Sequence, residues 1–149
     1  MKNRPIEIMD TTLRDGEQTS GIAFTASEKL TIARLLIEEL KIDRIEVASA
    51  RVSEGEFNAV KGIMAWAKDH GYEDRIEILS FVDGGKSLSW LKDAGAQVQN
   101  LLTKGSYNHL THQLKKTAEE HFNDISEIIN SAKNLGITTN VYLESRNTI

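Results

Sequence analysis

The sequence predicts an α/β fold, a parallel sheet with helices packed over it. Two observations carry that expectation. Short β-rich runs recur at 6–9, 44–49, 75–81, 98–102 and 138–143. Between them, apolar residues repeat at helical spacing. The order is β-α-β-α-β-α-β-α-β, which calls for parallel strands joined by right-handed crossovers. A third observation chooses between a doubly wound sheet and a barrel. A doubly wound sheet of the dinucleotide-binding kind wants a glycine-rich turn after its first strand. The turn here, Thr11-Thr12-Leu13-Arg14-Asp15-Gly16-Glu17-Gln18, is charged instead. The expectation is a partial (β/α)8 barrel of five parallel strands and four helices, one domain over residues 1–149. A whole barrel needs eight strands and typically about 250 residues.

Each element has its own signal. The first strand follows Pro5, the only proline. In the first helix Leu30, Ala33, Ile37 and Leu40 share a face; in the second, Phe57, Val60, Met64 and Ala67 do. A short third helix at 87–94 carries Leu88 and Leu91, and the fourth carries Phe122, Ile125, Ile129 and Ala132. Thr25-Ala26-Ser27-Glu28, Ser53-Glu54-Gly55-Glu56 and Thr117-Ala118-Glu119-Glu120 read as capping boxes. Gly71, Gly95 and Gly136 follow the later helices, where a left-handed residue ends a helix at little cost. Trp66 and Trp90 read as helix-to-sheet packing rather than stacking platforms. Gly84-Gly85 reads as a plain turn before an anion site. Along the second strand, Glu46 should face the barrel mouth while Ile45 and Val47 face the helices.

Composition excludes several function classes. Hydrophobic residues at 40% and charged residues at 27% suit a soluble globular domain. Lys and Arg total 18 against 22 Asp and Glu, a net charge of -4 with no basic block. Nucleic acid and anionic membrane surfaces are therefore excluded as partners. With no cysteine there are no disulfides, thiolate metal sites or thiol nucleophiles. No apolar run reaches the roughly 20 residues of a membrane span, and the polar start carries no signal-peptide pattern. A cytoplasmic location is the expectation.

In parallel βα units, functional side chains sit at the carboxyl ends of strands and in the loops that follow. Those positions hold Asp10, Arg14, Asp15, Glu17 and Gln18, then Glu46 and Ser49, then Asp83. Thr103-Lys104-Gly105-Ser106, His109 and His112 follow the fourth run, and Glu144 ends the fifth. Carboxylates grouped as in the first loop suit a hard divalent cation. An arginine among them suits an oxyanion that develops during reaction. The plainer alternative is a solvated loop with incidental charges. His109 and His112 are spaced for a metal on a helix but also for ordinary polarity at a helix start. His70 and His121 read as ordinary helix residues.

The stretch from Asp10 to Gln18 resembles the signature loop of the 2-isopropylmalate, homocitrate and citramalate synthases. These belong to a metal-dependent TIM-barrel superfamily that includes 3-hydroxy-3-methylglutaryl-CoA lyase. Arg44-Ile45-Glu46-Val47-Ala48-Ser49 resembles the family's second strand. Ser106-Tyr107-Asn108-His109 with Gln113-Leu114-Lys115-Lys116-Thr117 resembles its fourth βα loop, and Val141-Tyr142-Leu143-Glu144 the end of its fifth strand. Glu17 before Gln18 is the synthase form, since lyases tend to carry an apolar residue there.

The resemblance implies Claisen-type condensation of acetyl-CoA with an α-keto acid, followed by thioester hydrolysis, and a place in leucine biosynthesis. It implies a divalent metal (Mg2+, Mn2+ or Zn2+) that polarises the keto acid, with acetyl-CoA as co-substrate. By position, Asp15 matches a metal ligand, and Arg14 matches the residue facing the enolate or alkoxide oxygen. Glu144 matches a catalytic position, and Gln18, Glu46, Ser106 and His109 match positions lining the substrate pocket. Two further metal ligands come from a His-x-His motif that none of the four histidines forms. The expectation is therefore that this chain alone is inactive and pairs with the missing barrel portion or with itself. The alternative is a non-catalytic module for assembly or ligand binding. Ser145 stands where the family places Asp, and Asn140 and Tyr142 depart from the homocitrate synthases. Ser145-Arg146-Asn147-Thr148-Ile149 does not match the family at all.

Overall fold

A computed structural model describes residues 6–144; Pro5 and the divergent segment from Ser145 onward lie outside them. Five strands form one parallel sheet in sequence order: β1 (Met9–Asp10), β2 (Arg44–Ser49), β3 (Ile76–Phe81), β4 (Val98–Lys104) and β5 (Thr138–Glu144). The helices α1 (Ala26–Arg34), α2 (Glu54–His70), α3 (Lys86–Ala94), α4 (Tyr107–His109) and α5 (Ala118–Asn134) connect them. This is the expected half-barrel, with β1 and β5 as open edges. The core lies between sheet and helices. Ile45, Val47, Ile76 and Ile78 are 0–1% exposed there and pack with Ala33, Val60, Ile63, Leu88 and Leu91.

Several elements differ from the sequence reading. The first strand, expected at 6–9, is only Met9–Asp10, because its ladder to β2 begins at Met9. Ile6 and Ile8 stay exposed. Strands β4 and β5 run on to Lys104 and Glu144, which pair in register, so Thr103 and Lys104 are strand rather than loop. There are five α-helices rather than four among the described residues: α4 is one short turn continued by a π turn, Leu110–Leu114. A second π turn, Leu35–Glu39, closes the first helix. It advances the phase, so Leu36 and Ile37 are buried while Leu40, assigned to the stripe, faces solvent. In α5 the buried stripe is His121, Ile128 and Ala132, and Phe122 is exposed. His121 is no ordinary surface residue. It is buried because its Nε2 meets the Thr103 hydroxyl at 2.9 Å and the Lys104 carbonyl at 3.0 Å.

Capping mostly follows the sequence. Thr25 with Glu28 and Thr117 with Glu120 form reciprocal boxes. At Ser53 only half a box forms: the hydroxyl accepts from the Glu56 N–H at 3.1 Å, but the Glu56 carboxylate binds Lys29 at 2.5 Å. Gly71 and Gly95 end α2 and α3 at φ values of 72° and 80°, a region open to glycine without strain. At the start of α3, Asp83 accepts from the Ser87 N–H and hydroxyl, and Arg51 reaches it at 2.9 Å from the loop after β2.

Burial opposes ionisation of Asp83, but the hydrogen bonds from Ser87 and the Arg51 guanidinium outweigh it and hold the carboxyl below its ordinary range. A depressed folded value means stability that is present above the unfolded carboxyl value of about 3.9 and lost as pH falls through the folded one. Urea midpoints measured from about pH 6 to about pH 2 should therefore show a shallower acid loss in Asp83→Asn than in the parent chain. Parallel acid limbs would assign the loss to other carboxylates.

Candidate active site

The first loop is wound tightly enough to aim its charges. The Thr11 carbonyl accepts from the N–H groups of Arg14, Asp15 and Gly16 at 3.1, 2.7 and 3.2 Å. Asp10 turns the chain by accepting from the Thr12 N–H at 2.9 Å and its hydroxyl at 3.0 Å. Leu13 is fully buried and plugs the loop into the core. Arg14, the next residue, is thereby turned toward the helix-free face of the sheet.

There it meets Glu46. Arg14 Nε donates to Glu46 Oε1 at 2.5 Å, and Nη1 donates to Asp15 Oδ1 at 2.9 Å. Glu46 is fully buried, while Ile45 and Val47 enter the core on the opposite face, as strand alternation requires. The second Glu46 oxygen accepts from Asn100 Nδ2 at 2.5 Å, and Asn100 Oδ1 accepts from Asn140 Nδ2 at 3.0 Å. A relay thus runs from the first loop across β2 and β4 to β5. Beside it Arg44 donates to Glu77 at 2.9 Å, and the other Glu77 carboxyl oxygen is buried without a partner. The Tyr142 hydroxyl reaches Met9 sulfur at 3.3 Å, bringing β5 to β1 over the bowl. Burial, then the Glu46 and Glu77 carboxylates, raise the Tyr142 hydroxyl above its ordinary pKa. The helix-free face is mixed: Glu46, Glu77, Asn100 and Asn140 share it with Leu79, Phe81 and Leu102. The exposed apolar side chains of β5, Val141 and Leu143, belong to its other face.

The candidate residues fall into three places. Arg14, Asp15 and Gln18 lie in the segment after β1, and Arg14 reaches Glu46, the third residue of β2. Arg14 and Gln18 line a cleft of about 600 Å³ with Phe24, Ser49 and Glu56. Glu144 pairs with Lys104, and both line a smaller cavity of about 260 Å³ with Phe81 and His121. Ser106 and His109 sit on the turn after β4, where the Ser106 hydroxyl accepts from the His109 N–H at 3.3 Å as a helix cap. Asn100, Arg44 and Glu77 were not singled out by the sequence reading. Their signal was present: a polar residue inside a strand otherwise rich in apolar side chains.

The donor set decides how far a divalent ion fits. Asp15 lends one oxygen to Arg14, and its side chain is 60% exposed. Both Glu46 oxygens are engaged. Among the described residues no three His, Asp or Glu side chains come together as a cage. Hard divalent ions want about six ligands, so these residues by themselves do not fit one.

Comparison with known proteins decides the family. A model described as HMGL-like matches residues 5–149. The chain belongs to the HMGL-like family. It is 37% identical over 140 residues to a probable 2-isopropylmalate synthase of Ignicoccus hospitalis, covering 93% of this chain and 34% of that protein. It is 34% identical over 139 residues to a putative (R)-citramalate synthase of Methanopyrus kandleri, covering 93% and 26%. The HMGL-like chain therefore spans about a third or less of the length of these relatives. Among solved structures, an HMG-CoA lyase of Bacillus subtilis superposes with a TM-score of 0.68 at 19% identity, over 93% of this chain and 46% of that one. An HMG-CoA lyase of Acinetobacter baumannii, in complex with coenzyme A and 3-methylmalate, gives 0.61 at 20% identity, over 91% and 43%. These two likenesses concern the fold. No helix among the described residues is long and apolar enough to cross a membrane.

The Arg14–Glu46 pair should dominate local stability. Glu46→Ala strands a guanidinium and the Asn100 amide in a buried place, and breaking such a pair costs about 3–5 kcal/mol. Glu46→Gln keeps an acceptor for Arg14 and should lose less. Urea unfolding of the two variants checks the order, and equal losses would mean that a neutral acceptor recovers nothing and the charge of Glu46 carries the whole contribution.

Proposed function

We propose that residues 1–149 are the N-terminal portion of a TIM-barrel catalytic domain that condenses acetyl-CoA with an α-keto acid, of the 2-isopropylmalate synthase type. The supporting observation is the grip on Arg14: Nε and Nη1 are fixed by Glu46 and Asp15 beside an open cleft. That leaves Nη2 to face an oxygen of the reactants. In the condensation the acetyl methyl carbon gives a proton to a general base and its enolate attacks the keto carbon. A carbon–carbon bond forms and negative charge passes to the former carbonyl oxygen. A guanidinium already oriented stabilises that charge without reorganising, and one such donor is worth about 3–4 kcal/mol of barrier. Glu144 is assigned the second catalytic place, Gln18, Glu46, Ser106 and His109 the substrate contacts, and Asp15 the carboxylate nearest a metal.

This chain alone is expected to be inactive. With Asp15 as the one carboxylate assigned to the metal, Mn2+ should bind no better than roughly millimolar, about −4 kcal/mol, by isothermal titration. A low-micromolar site lost in Asp15→Ala would refute that. The decisive experiment grafts residues 5–144 into the matching stretch of the Ignicoccus hospitalis relative and follows thiol release from acetyl-CoA with α-ketoisovalerate. The graft should turn over, and Arg14→Gln should lower kcat by about 10²–10³. A folded graft without turnover, or one indifferent to Arg14→Gln, would overturn the reading.

The open sheet supports a second reading, an assembly module. Among the described residues strand β5 pairs with β4 alone, and Val141 and Leu143 are 42% and 65% exposed. Such an edge templates pairing with another chain. Sedimentation velocity should show self-association at about micromolar concentration; a monodisperse monomer there would count against it.

A further inference from the structure

Lys29 is 1% exposed and shares the buried face of α1 with Ala33, at a position that a surface helix would give to an apolar residue. Its ammonium is placed below the first loop. Nζ lies 2.6 Å from Glu17 Oε2 and 2.5 Å from Glu56 Oε1, and donates to the Leu13 carbonyl at 3.2 Å. The Val47 carbonyl, at 3.4 Å, completes the surroundings. An ammonium has three protons, and the three shorter contacts suffice for them. Each partner belongs to a different part of the site. Leu13 immediately precedes Arg14, Glu17 follows Asp15 by two residues, Val47 follows Glu46, and Glu56 lies in the first turn of α2. Glu17 also ties the far end of the loop, accepting from the Phe24 N–H at 2.9 Å through its other oxygen. Glu56 has given up its half of a capping box to reach Lys29. Glu17 and Glu56 both line the cleft beside Arg14.

We propose that Lys29 is a positioning residue whose buried ammonium locks both flanks of the Arg14–Asp15 loop onto β2 and the start of α2. Glu46 holds the Arg14 side chain from above, while Lys29 holds its backbone from below. Without the ammonium two carboxylates face each other at the cleft floor, and their repulsion acts on the loop through Glu17. The loop lock stands on geometry alone; its kinetic consequence rests on the reading that Arg14 faces a reacting oxygen.

Amide hydrogen exchange of this chain tests the lock without any activity. The reporters are the N–H groups of Asp15 and Gly16, bonded to the Thr11 carbonyl, with the amides of β3 as the global reference. In Lys29→Met, the reporters should exchange at least about tenfold faster relative to β3, the scale of one lost charge-assisted hydrogen bond. The combination Glu17→Gln, Lys29→Met and Glu56→Gln removes the repulsion. It should return the thermal midpoint toward the parent value while the reporters stay fast, which a purely stabilising core lysine would not do. Parent-like reporter protection relative to β3 in either variant overturns the proposal, and so does failure of both variants to fold. In the graft described above, Lys29→Met should lower kcat with little change in KM; an unchanged kcat contradicts the positioning role. If the unsubstituted graft is inactive, the condensation reading fails, while the exchange result still decides the lock.

Discussion

Everything on the helix-free face depends on the buried contact between Arg14 and Glu46. A carboxylate with no exposed surface is costly in the interior unless both oxygens are satisfied. Arg14 supplies one partner and Asn100 the other. That requirement accounts for the polar residues inside the neighbouring strands, where Asn100 meets Asn140 and the adjacent Glu77 meets Arg44. The pair also joins elements that no backbone ladder joins, since the first loop reaches β2 through a side chain. The charge network is thus both a structural tie and the device that points a guanidinium at the cleft.

A second ion cluster opposes the first. Lys29 binds Glu17 and Glu56 beneath the same loop. Arg14 is held by its head group and Lys29 holds its backbone, so the loop is fixed from two sides. The arrangement costs local regularity elsewhere: α2 begins with half a capping box because its Glu56 is used here.

The open edges fit the coverage of the relatives. In a chain matching about a third of a probable 2-isopropylmalate synthase, the described residues build five strands in sequence order and leave β1 and β5 each with one neighbour. Tyr142 and Met9 meet across the bowl, so the two edge strands are tied by side chains although no backbone pairing joins them.

The sequence by itself determined the element order, the three helix starts, the glycine ends and the charged first loop. These are local properties: periodicity, capping chemistry and backbone freedom act within a few residues. It also placed Glu46 opposite Ile45 and Val47, because alternation along a strand is local too. Tertiary structure decided what local rules cannot see. Edge pairing reduced β1 to Met9–Asp10, and π turns shifted the buried face so that Leu40 is exposed. Lys29, His121, Asn100 and Glu77 are polar residues whose burial depends on partners distant in sequence. Lys29 is buried because Glu17 and Glu56 meet it there, and no window around residue 29 contains both of them together with the Val47 carbonyl.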